Sequence, residues 1–311
     1  MLDVRRMKVL REVVAHGSFS AAAEALTYTQ SAVSQQIAAL EREAGTRLVE
    51  RGARGIRLTD AGRIVVDHAD AILSRLSDAE AELEALAGLR GGRLRLAAFP
   101  SAGATIMPEA IARYRERHPA VELTLEPAEP DDAVMKLRSG NVDVALDISA
   151  HFQPAPDDGI ERLHLLDDPM YVALPAGHPL ARKRALRMED LADEAWILGT
   201  TGSCPDSSIF LRSCQRAGFE PRVAFNSDDY FAIQGFVAAG VGASLIPDLA
   251  LISVRDDIVV RSLGARPPSR RILAATLAGS YLSPAKQAML DVLVEVAAEF
   301  AGSRRALALA S

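Results

Sequence analysis

Residues 18–44, SFSAAAEALTYTQSAVSQQIAALEREA, predict two helices joined by a short turn. Ser18 and Thr29 stand where the two helices begin, and a hydroxyl at that position accepts a hydrogen bond from an early helical amide. Apolar residues recur along the second helix at spacings of four, three and four residues, so they share one face that should pack inward. These residues are Val33, Ile37, Leu40 and Ala44.

The opposite face of the second helix is small, polar and almost uncharged where the helix begins. A helix that enters the DNA major groove meets base edges at this end with short donors and acceptors. The pattern therefore favours a DNA-reading helix-turn-helix, and a plain helical hairpin with a Gln/Ser face is the alternative. The residues expected to contact DNA are Ser20, Thr29, Gln30, Ser31, Ser34 and Gln35.

A predicted β-hairpin follows these helices, with its tip at residues 52–55. Arg51 and Arg54 are placed to reach phosphates or a narrow minor groove from such a wing. For either arginine alone, a solvated surface charge is the alternative interpretation.

Thr59 opens a long predicted helix of roughly 30 residues, about 45 Å in length. Its apolar residues alternate spacings of four and three, which is a heptad seam. An exposed seam predicts pairing with a second copy of the chain, and packing against the chain's own body is the alternative. The seam residues are Val65, Ala69, Ile72, Leu76, Ala79, Leu83 and Leu86.

After GLRGG at residues 88–92, short strands alternate with helices, which predicts an α/β sheet with helices on both faces. Residues 1–60 hold nine Lys or Arg against seven Asp or Glu, a surplus of +2, although the whole chain has a net charge of −6. The remainder therefore carries −8, and this asymmetry suits a phosphate-facing head on an acidic body.

Several classes of protein are disfavoured by what the sequence lacks. No phosphate-binding loop, nucleophile elbow, HExxH motif or paired CxxC occurs, and the six histidines are scattered, so we expect no enzyme, cofactor or metal site. Two cysteines make no disulfide framework, and no apolar run approaches a membrane span. The N-terminus predicts an amphipathic helix rather than a signal peptide. We expect a cytoplasmic protein with no membrane partner, rather than an exported solute-binding protein.

Four runs together resemble the LysR-type transcriptional regulators: GSFSAAAEAL at 17–26, TQSAVSQQIAALE at 29–41, GTRLVER at 45–51 and RLTDAG at 57–62. The similarity extends to about residue 300. It implies an inverted-repeat operator in double-stranded DNA, a small-molecule effector, a homodimer or homotetramer, and RNA polymerase as a candidate partner.

The resemblance also implies the domain organisation, of which the last segment is a predicted disordered tail. The expected parts are a winged helix-turn-helix at 1–58, a linker and dimerisation helix at 59–90, a two-lobed α/β effector domain of periplasmic-binding-protein type at 91–301, and the tail at 302–311. Lobe I is expected at about 91–166 and 268–301, and lobe II at about 167–267.

A cleft between the lobes is the expected effector site, at the carboxyl ends of the strands. Two loops rich in glycine and hydroxyl groups precede helices there, although ordinary turn chemistry is the alternative for each residue. The residues expected to contact the effector are Pro100, Ser101, Ala102, Ile148, Thr200, Thr201, Gly202, Ser203 and Asp228. Family members that bind acids often have a hydroxyl where Pro130 falls, and several acidic residues stand near the same mouth. A cationic, neutral or mixed-charge ligand is therefore as plausible as a carboxylate.

Cys204 and Cys214 raise a second hypothesis, redox sensing, since peroxide-sensing LysR-type regulators carry two cysteines in this region. Cys204 at a helix start would have a lowered pKa. However, ten helical residues separate the two sulfurs by about 15 Å, which is beyond disulfide reach unless the helix unwinds. A buried packing role for Cys214 is the simpler interpretation.

Overall fold

The computed structural model describes residues 1–52, 55–86, 92–154, 156–183, 186–199 and 205–310. The chain divides into two compact units: residues 1–89 with the short segments 136–141 and 279–283, and the rest of the chain. No helix in the described ranges is both long and apolar enough to cross a membrane.

The first unit begins with three helices, α1 (Val4–Ala15), α2 (Phe19–Ala25) and α3 (Gln30–Ala44). Both predicted caps are confirmed, because Ser18 Oγ accepts from the Ala21 amide at 3.1 Å and Thr29 Oγ1 accepts from the Ala32 amide at 3.2 Å. The predicted inward face of α3 is buried in the head core through Val33, Ile37 and Leu40, together with side chains of α1 and α2.

The predicted wing is an antiparallel hairpin of β1 (Val49–Gly52) and β2 (Gly55–Leu58). Its base is fixed to α3, since Glu41 Oε1 accepts from the amides of Leu48 at 2.8 Å and Val49 at 3.3 Å. Thr59 caps the next helix by accepting from the Gly62 amide at 3.0 Å. Gly62 must be a glycine at this position, because a Cβ would lie 2.1 Å from the Leu48 carbonyl oxygen.

The long helix α4 (Asp60–Leu86) contains 27 residues, about 40 Å at 1.5 Å per residue. Its predicted seam divides into two parts. Val65 and Ala69 are buried in the head core, as the alternative interpretation expected for the whole seam. Farther along, Ile72, Leu76 and Leu83 are 41%, 49% and 66% exposed.

The second unit is α/β, and strands and helices alternate along most of it. Its described strands and α-helices are, in chain order, β3 (Arg93–Ala98), α5 (Pro100–Gly103), α6 (Ile106–Arg117), β4 (Glu122–Pro127), α7 (Pro130–Arg138), β5 (Val144–Ala150), β6 (Ile160–Pro175), β7 (Ala195–Leu198), α8 (Pro205–Arg216), β8 (Arg222–Asn226), α9 (Tyr230–Ala238), β9 (Ser244–Pro247), β10 (Ile258–Arg261), β11 (Ser269–Leu277) and α10 (Pro284–Ala310).

A seven-stranded sheet has the order β10-β6-β11-β5-β3-β4, with β9 also paired to β6. Strands β3, β4 and β5 are parallel, whereas the long strands β6 and β11 are antiparallel to each other. One apolar core packs α6 and α10 on β3 and β5, and another surrounds Trp196 and Phe210. Because β6 contributes residues to both cores, it connects them directly. The winged head, long helix and two-core α/β unit confirm the predicted fold class.

The C-terminal segment corrects one prediction. Helix α10 continues to Ala310, whereas a disordered tail was expected from residue 302. Arg304 explains the continuation, since its side chain forms an ion pair with Asp248 at 3.2 Å and donates to the Leu251 carbonyl at 3.2 Å. Alanine, leucine and arginine, which follow Gly302, are also strong helix formers.

Candidate DNA-binding surface and effector cleft

The start of α3 presents the predicted DNA-reading surface to solvent. Thr29, Gln30, Ser31 and Gln35 are exposed and Ser34 is half-buried, and Ser20 is exposed on α2. Thr29 Oγ1 and Ser31 Oγ lie 3.0 Å apart, which orders the first turn. Tyr28, 54% exposed just before this helix, is a large side chain that the sequence reasoning did not select. An exposed aromatic beside a polar helix end was the available signal.

The wing arginines are only partly accounted for by the structure. Arg51 belongs to strand β1, and its side chain is outside what the structure describes. Arg54 lies outside the described residues, as do Thr200, Thr201, Gly202, Ser203 and Cys204.

Among the seam residues, Ala79 is exposed and the Leu86 side chain is not described.

The second unit contains a cleft at the carboxyl ends of β3, β5 and β7, the expected place for a ligand in an α/β fold. Its cavity measures about 60 Å³, which is room for a few water molecules or for a very small ligand. Four of the residues expected to contact the effector line it: Pro100, Ser101, Ile148 and Asp228. Ala102 does not, because its side chain is fully buried in the core beneath α6.

Arg270, a buried cation, organises this cleft, and the sequence reasoning did not select it. Its side chain is 1% exposed, and Nε donates to Asp168 Oδ2 at 2.8 Å. Nη1 donates to Asp206 Oδ2 at 2.8 Å, and Nη2 donates to Ser101 Oγ at 2.8 Å. The guanidinium thus joins β11 to β6, α8 and α5. An arginine beside the otherwise apolar run ILAATL was the available signal.

Opposite charges lie close together in this cluster and shift one another's pKa values. Burial raises the pKa of Asp168 to about 6, although Arg270 acts in the opposite direction. Burial acts to lower the pKa of Arg270, but Asp206 and Asp168 outweigh it, and the pKa is raised. A cation surrounded in this way keeps its charge, and three of its five N–H donors are used by the protein.

Two acidic side chains line the cleft beside Arg270: Glu129 receives no hydrogen bond from it, whereas Asp206 does. Glu129 is half-buried on its wall, and burial raises the pKa of its carboxyl, with Asp228 and Asp206 adding to the effect. Asp206 accepts from the Tyr230 hydroxyl through Oδ2, at 2.9 Å. Its other oxygen, Oδ1, is buried and has no hydrogen-bond partner within the described ranges.

Gly199, the residue that follows β7, lies close to the carboxylate of Asp228. A Cβ at Gly199 would lie 3.0 Å from Asp228 Oδ1 and 3.7 Å from Ser207 Oγ. Arg270 pairs with the carboxylates of Asp168 and Asp206, and the acidic side chains of Glu129 and Asp228 also line the cleft. The cleft is therefore a small, acidic chamber with apolar walls.

Cys214 does not have the environment of a reactive thiol. It is fully buried in α8, and burial raises its pKa to about 12, so it stays protonated at neutral pH.

Two family profiles match this chain. The profile described as the bacterial regulatory helix-turn-helix protein of the lysR family matches residues 4–63, and the LysR substrate binding domain matches residues 87–298. A probable transcriptional regulator, LrrA of Synechococcus elongatus, is 33% identical over 96% of this chain and 98% of its own length. A probable hydrogen peroxide-inducible genes activator of Mycobacterium avium is 34% identical over 82% of this chain and 81% of its own.

Solved structures share the fold over nearly the whole chain. A full-length OxyR variant from Pseudomonas aeruginosa has a TM-score of 0.71 at 24% identity, covering 96% of this chain and 95% of its own. Full-length CbnR in complex with its target DNA has a TM-score of 0.62 at 24% identity, covering 95% of this chain and all of its own.

Proposed function

The chain belongs to the LysR family of transcriptional regulators, and we propose that it binds an inverted-repeat operator and responds to a small amine or other donor-rich cation in its cleft. As a member of this family it is a DNA-binding transcription regulator rather than an enzyme. The operator, the effector and the assembly into a homodimer or homotetramer are the proposed parts.

The charge balance of the cleft carries the effector proposal. An anionic effector would need a free cation, but the charge of Arg270 is already matched by Asp168 and Asp206, and each of its side-chain nitrogens already donates one hydrogen bond. Glu129, to which Arg270 donates no hydrogen bond, instead presents its carboxylate oxygens as acceptors on the cavity wall. An ammonium group supplies three donors and a positive charge to such acceptors.

An organic cation is favoured over a metal ion for two reasons. Within the described residues, no group of three or more carboxylate, histidine or cysteine side chains is arranged to hold a metal. The cavity walls also include Phe99, Ile148 and Met170, which suit a short alkyl chain.

The DNA proposal is supported by the uncharged polar start of α3 and by the exposed part of the α4 seam. Ile72, Leu76 and Leu83 leave an apolar stripe that a second copy of the helix would cover. Pairing through this stripe would present two recognition helices to two half-sites.

The test measures binding of the full chain to DNA upstream of its own gene and to scrambled DNA, across a salt series. Propylamine, ethanolamine, propanol and propionate are then added in turn. We expect sequence-selective binding, altered by an amine but not by propanol or propionate. Equal affinity for both DNAs would contradict the DNA proposal, and a response to propionate alone would contradict the cation proposal.

Two glutamine substitutions distinguish amine binding in the cleft from attraction of the amine to surface charge in general. Glu129→Gln removes the acidic group on the cleft wall, so we expect amine affinity to fall about tenfold. Glu122→Gln removes an exposed carboxylate from the start of β4 and should leave amine affinity unchanged. Equal losses in the two variants would show that the amine is attracted by net charge alone.

Redox sensing through Cys204 and Cys214 is the second candidate, and the name of the Mycobacterium avium relative favours it. The buried, protonated Cys214 opposes it, because the thiolate is the reactive form.

A further inference from the structure

A second cavity, of about 610 Å³, lies in the same unit and has no lining residue in common with the effector cleft. Helix α8 lines each of the two cavities with a different face. Asp206, Ser207 and Phe210 face the cleft, whereas Ile209, Arg212, Ser213 and Arg216 face this second cavity. The latter spacing of three, four and seven residues defines one side of a helix. We call the second cavity the arginine groove.

The charge of the arginine groove is opposite to that of the cleft. Its walls carry four guanidinium groups, those of Arg187, Arg212, Arg216 and Arg266, against the single carboxylate of Glu189. All four arginines are exposed. Arg187 lies 3.6 Å from Asp190, but the other three form no ion pair in the part of the chain that the structure describes.

Phe152 holds one of these arginines in a defined place. The guanidinium carbon of Arg212 lies 4.2 Å from the centre of the Phe152 ring. Stacking on a ring face fixes the guanidinium plane and leaves its N–H donors free at the edges. Such donors match the geometry of a phosphate or carboxylate group.

The size of the groove limits what it can bind. Its volume falls in the range of small-molecule and cofactor sites, about 300–1,000 Å³. A chloride or acetate ion would use one guanidinium and leave most of the space empty. Buried Leu263 and Ile209, with Pro267 and Pro268, add apolar wall for the body of a larger ligand.

We propose that the arginine groove is a binding site for a compact polyanion, a small molecule with two or more phosphate or carboxylate groups. Arg212 and Arg216, one turn apart on α8, hold one anionic group, and Arg266 on the facing loop holds another. The site shares no lining residue with the effector cleft, and its ligand has the opposite charge.

The groove is also connected to the cleft through the chain. Ser269 lines the groove, and the next residue, Arg270, reaches into the cleft. Consecutive residues of a strand point to opposite faces, so one segment of β11 serves both sites. A polyanion in the groove is therefore placed to alter effector binding, and by linkage the effector alters polyanion binding equally.

The test uses calorimetric titration of the full chain with pyrophosphate, tripolyphosphate and citrate. Comparing the first two with citrate distinguishes phosphate from carboxylate as the preferred source of negative charge. We expect one site per chain, an affinity that weakens with added salt, and a loss of about tenfold in Arg212→Gln and in Arg266→Gln. Both residues are exposed, so the variants should fold, and an unchanged circular dichroism spectrum verifies that they do.

Arg115→Gln is the matched control, because Arg115 is an exposed arginine of α6 that does not line the groove. It should bind the polyanions as the unchanged chain does. The proposal is overturned if no probe binds, or if Arg115→Gln loses as much affinity as Arg212→Gln. It is also overturned if Arg212→Gln weakens operator binding with no probe present, since the groove would then serve DNA.

Discussion

Arg270 and Arg212 show one type of side chain in two opposite environments, on either side of helix α8. Arg270 is 1% exposed and donates to two carboxylates and a hydroxyl of its own chain. Arg212 is exposed, contacts the face of Phe152 and pairs with no carboxylate among the described residues. The first arginine connects four elements of the fold, whereas the second has donors available to a ligand.

This difference shows why counting charges in a pocket is not enough to infer its ligand. The cleft contains an arginine, but that cation is already neutralised, so the cleft offers acceptors. The arginine groove contains four cations, of which three have no anionic partner within the described ranges, so it offers donors. The charge of the ligand that each site suits depends on whether its charged side chains already have partners within the protein, rather than on which residue types are present.

The largest expected effect comes from Arg270→Met, which leaves Asp168 buried without its cation. Breaking a buried ion pair from one side typically costs about 3–5 kcal/mol of folding free energy. Arg212→Gln, at an exposed position, should change stability by less than about 0.5 kcal/mol. Urea unfolding followed by circular dichroism measures both values.

A double variant serves as the control for this prediction. Adding Asp168→Asn to Arg270→Met removes the uncompensated buried charge, so part of the lost stability should return. If Arg270→Met costs no more than Arg212→Gln, the two arginines do not differ as the structure indicates.

Local features of this protein could be predicted from sequence because their causes lie within a few residues. The caps at Ser18 and Thr29 and the inward face of α3 depend on neighbours three or four positions away. Arg270 could not be predicted in this way, because its partners Asp168 and Ser101 are 102 and 169 residues distant in the chain. No periodicity links such positions.

The α4 seam illustrates a second limit. Val65 and Ala69 belong to the same heptad pattern as Leu76 and Leu83, yet the first pair packs in the head core and the second pair is exposed. Periodicity shows that residues share a face, but it does not show where the chain's own core ends.

The site loop at residues 200–203 lies outside the described residues, so its role stays a prediction.

The exposed part of the α4 seam predicts a large effect on assembly. Leu76 is 49% exposed at the seam, and Leu76→Glu would put two carboxylates into the paired helices. We expect dimer affinity to fall about a hundredfold, since apolar burial is lost on both chains. Analytical ultracentrifugation measures the change, and Glu80→Gln, an exposed position of α4 outside the seam, is the control. An unchanged dimer would assign pairing to another surface.

Acidification should weaken amine binding in the cleft. Burial and nearby carboxylates raise the pKa of Glu129, so its anionic form is lost at a higher pH than for an ordinary glutamate. Because a cation binds the anionic form, affinity should fall as the pH drops through this pKa, by at most about tenfold per pH unit from this group. Glu129→Gln should flatten the profile, and an equally steep profile in that variant would assign the titration to another group.

The smallest expected effect concerns Cys214, which is fully buried in α8. Its raised pKa, about 12, keeps it a thiol, so hydrogen peroxide should oxidise it slowly if at all. Operator affinity measured before and after peroxide should be the same for the unchanged chain, Cys204→Ser and Cys214→Ser. A peroxide response that disappears in both variants would instead establish a redox switch.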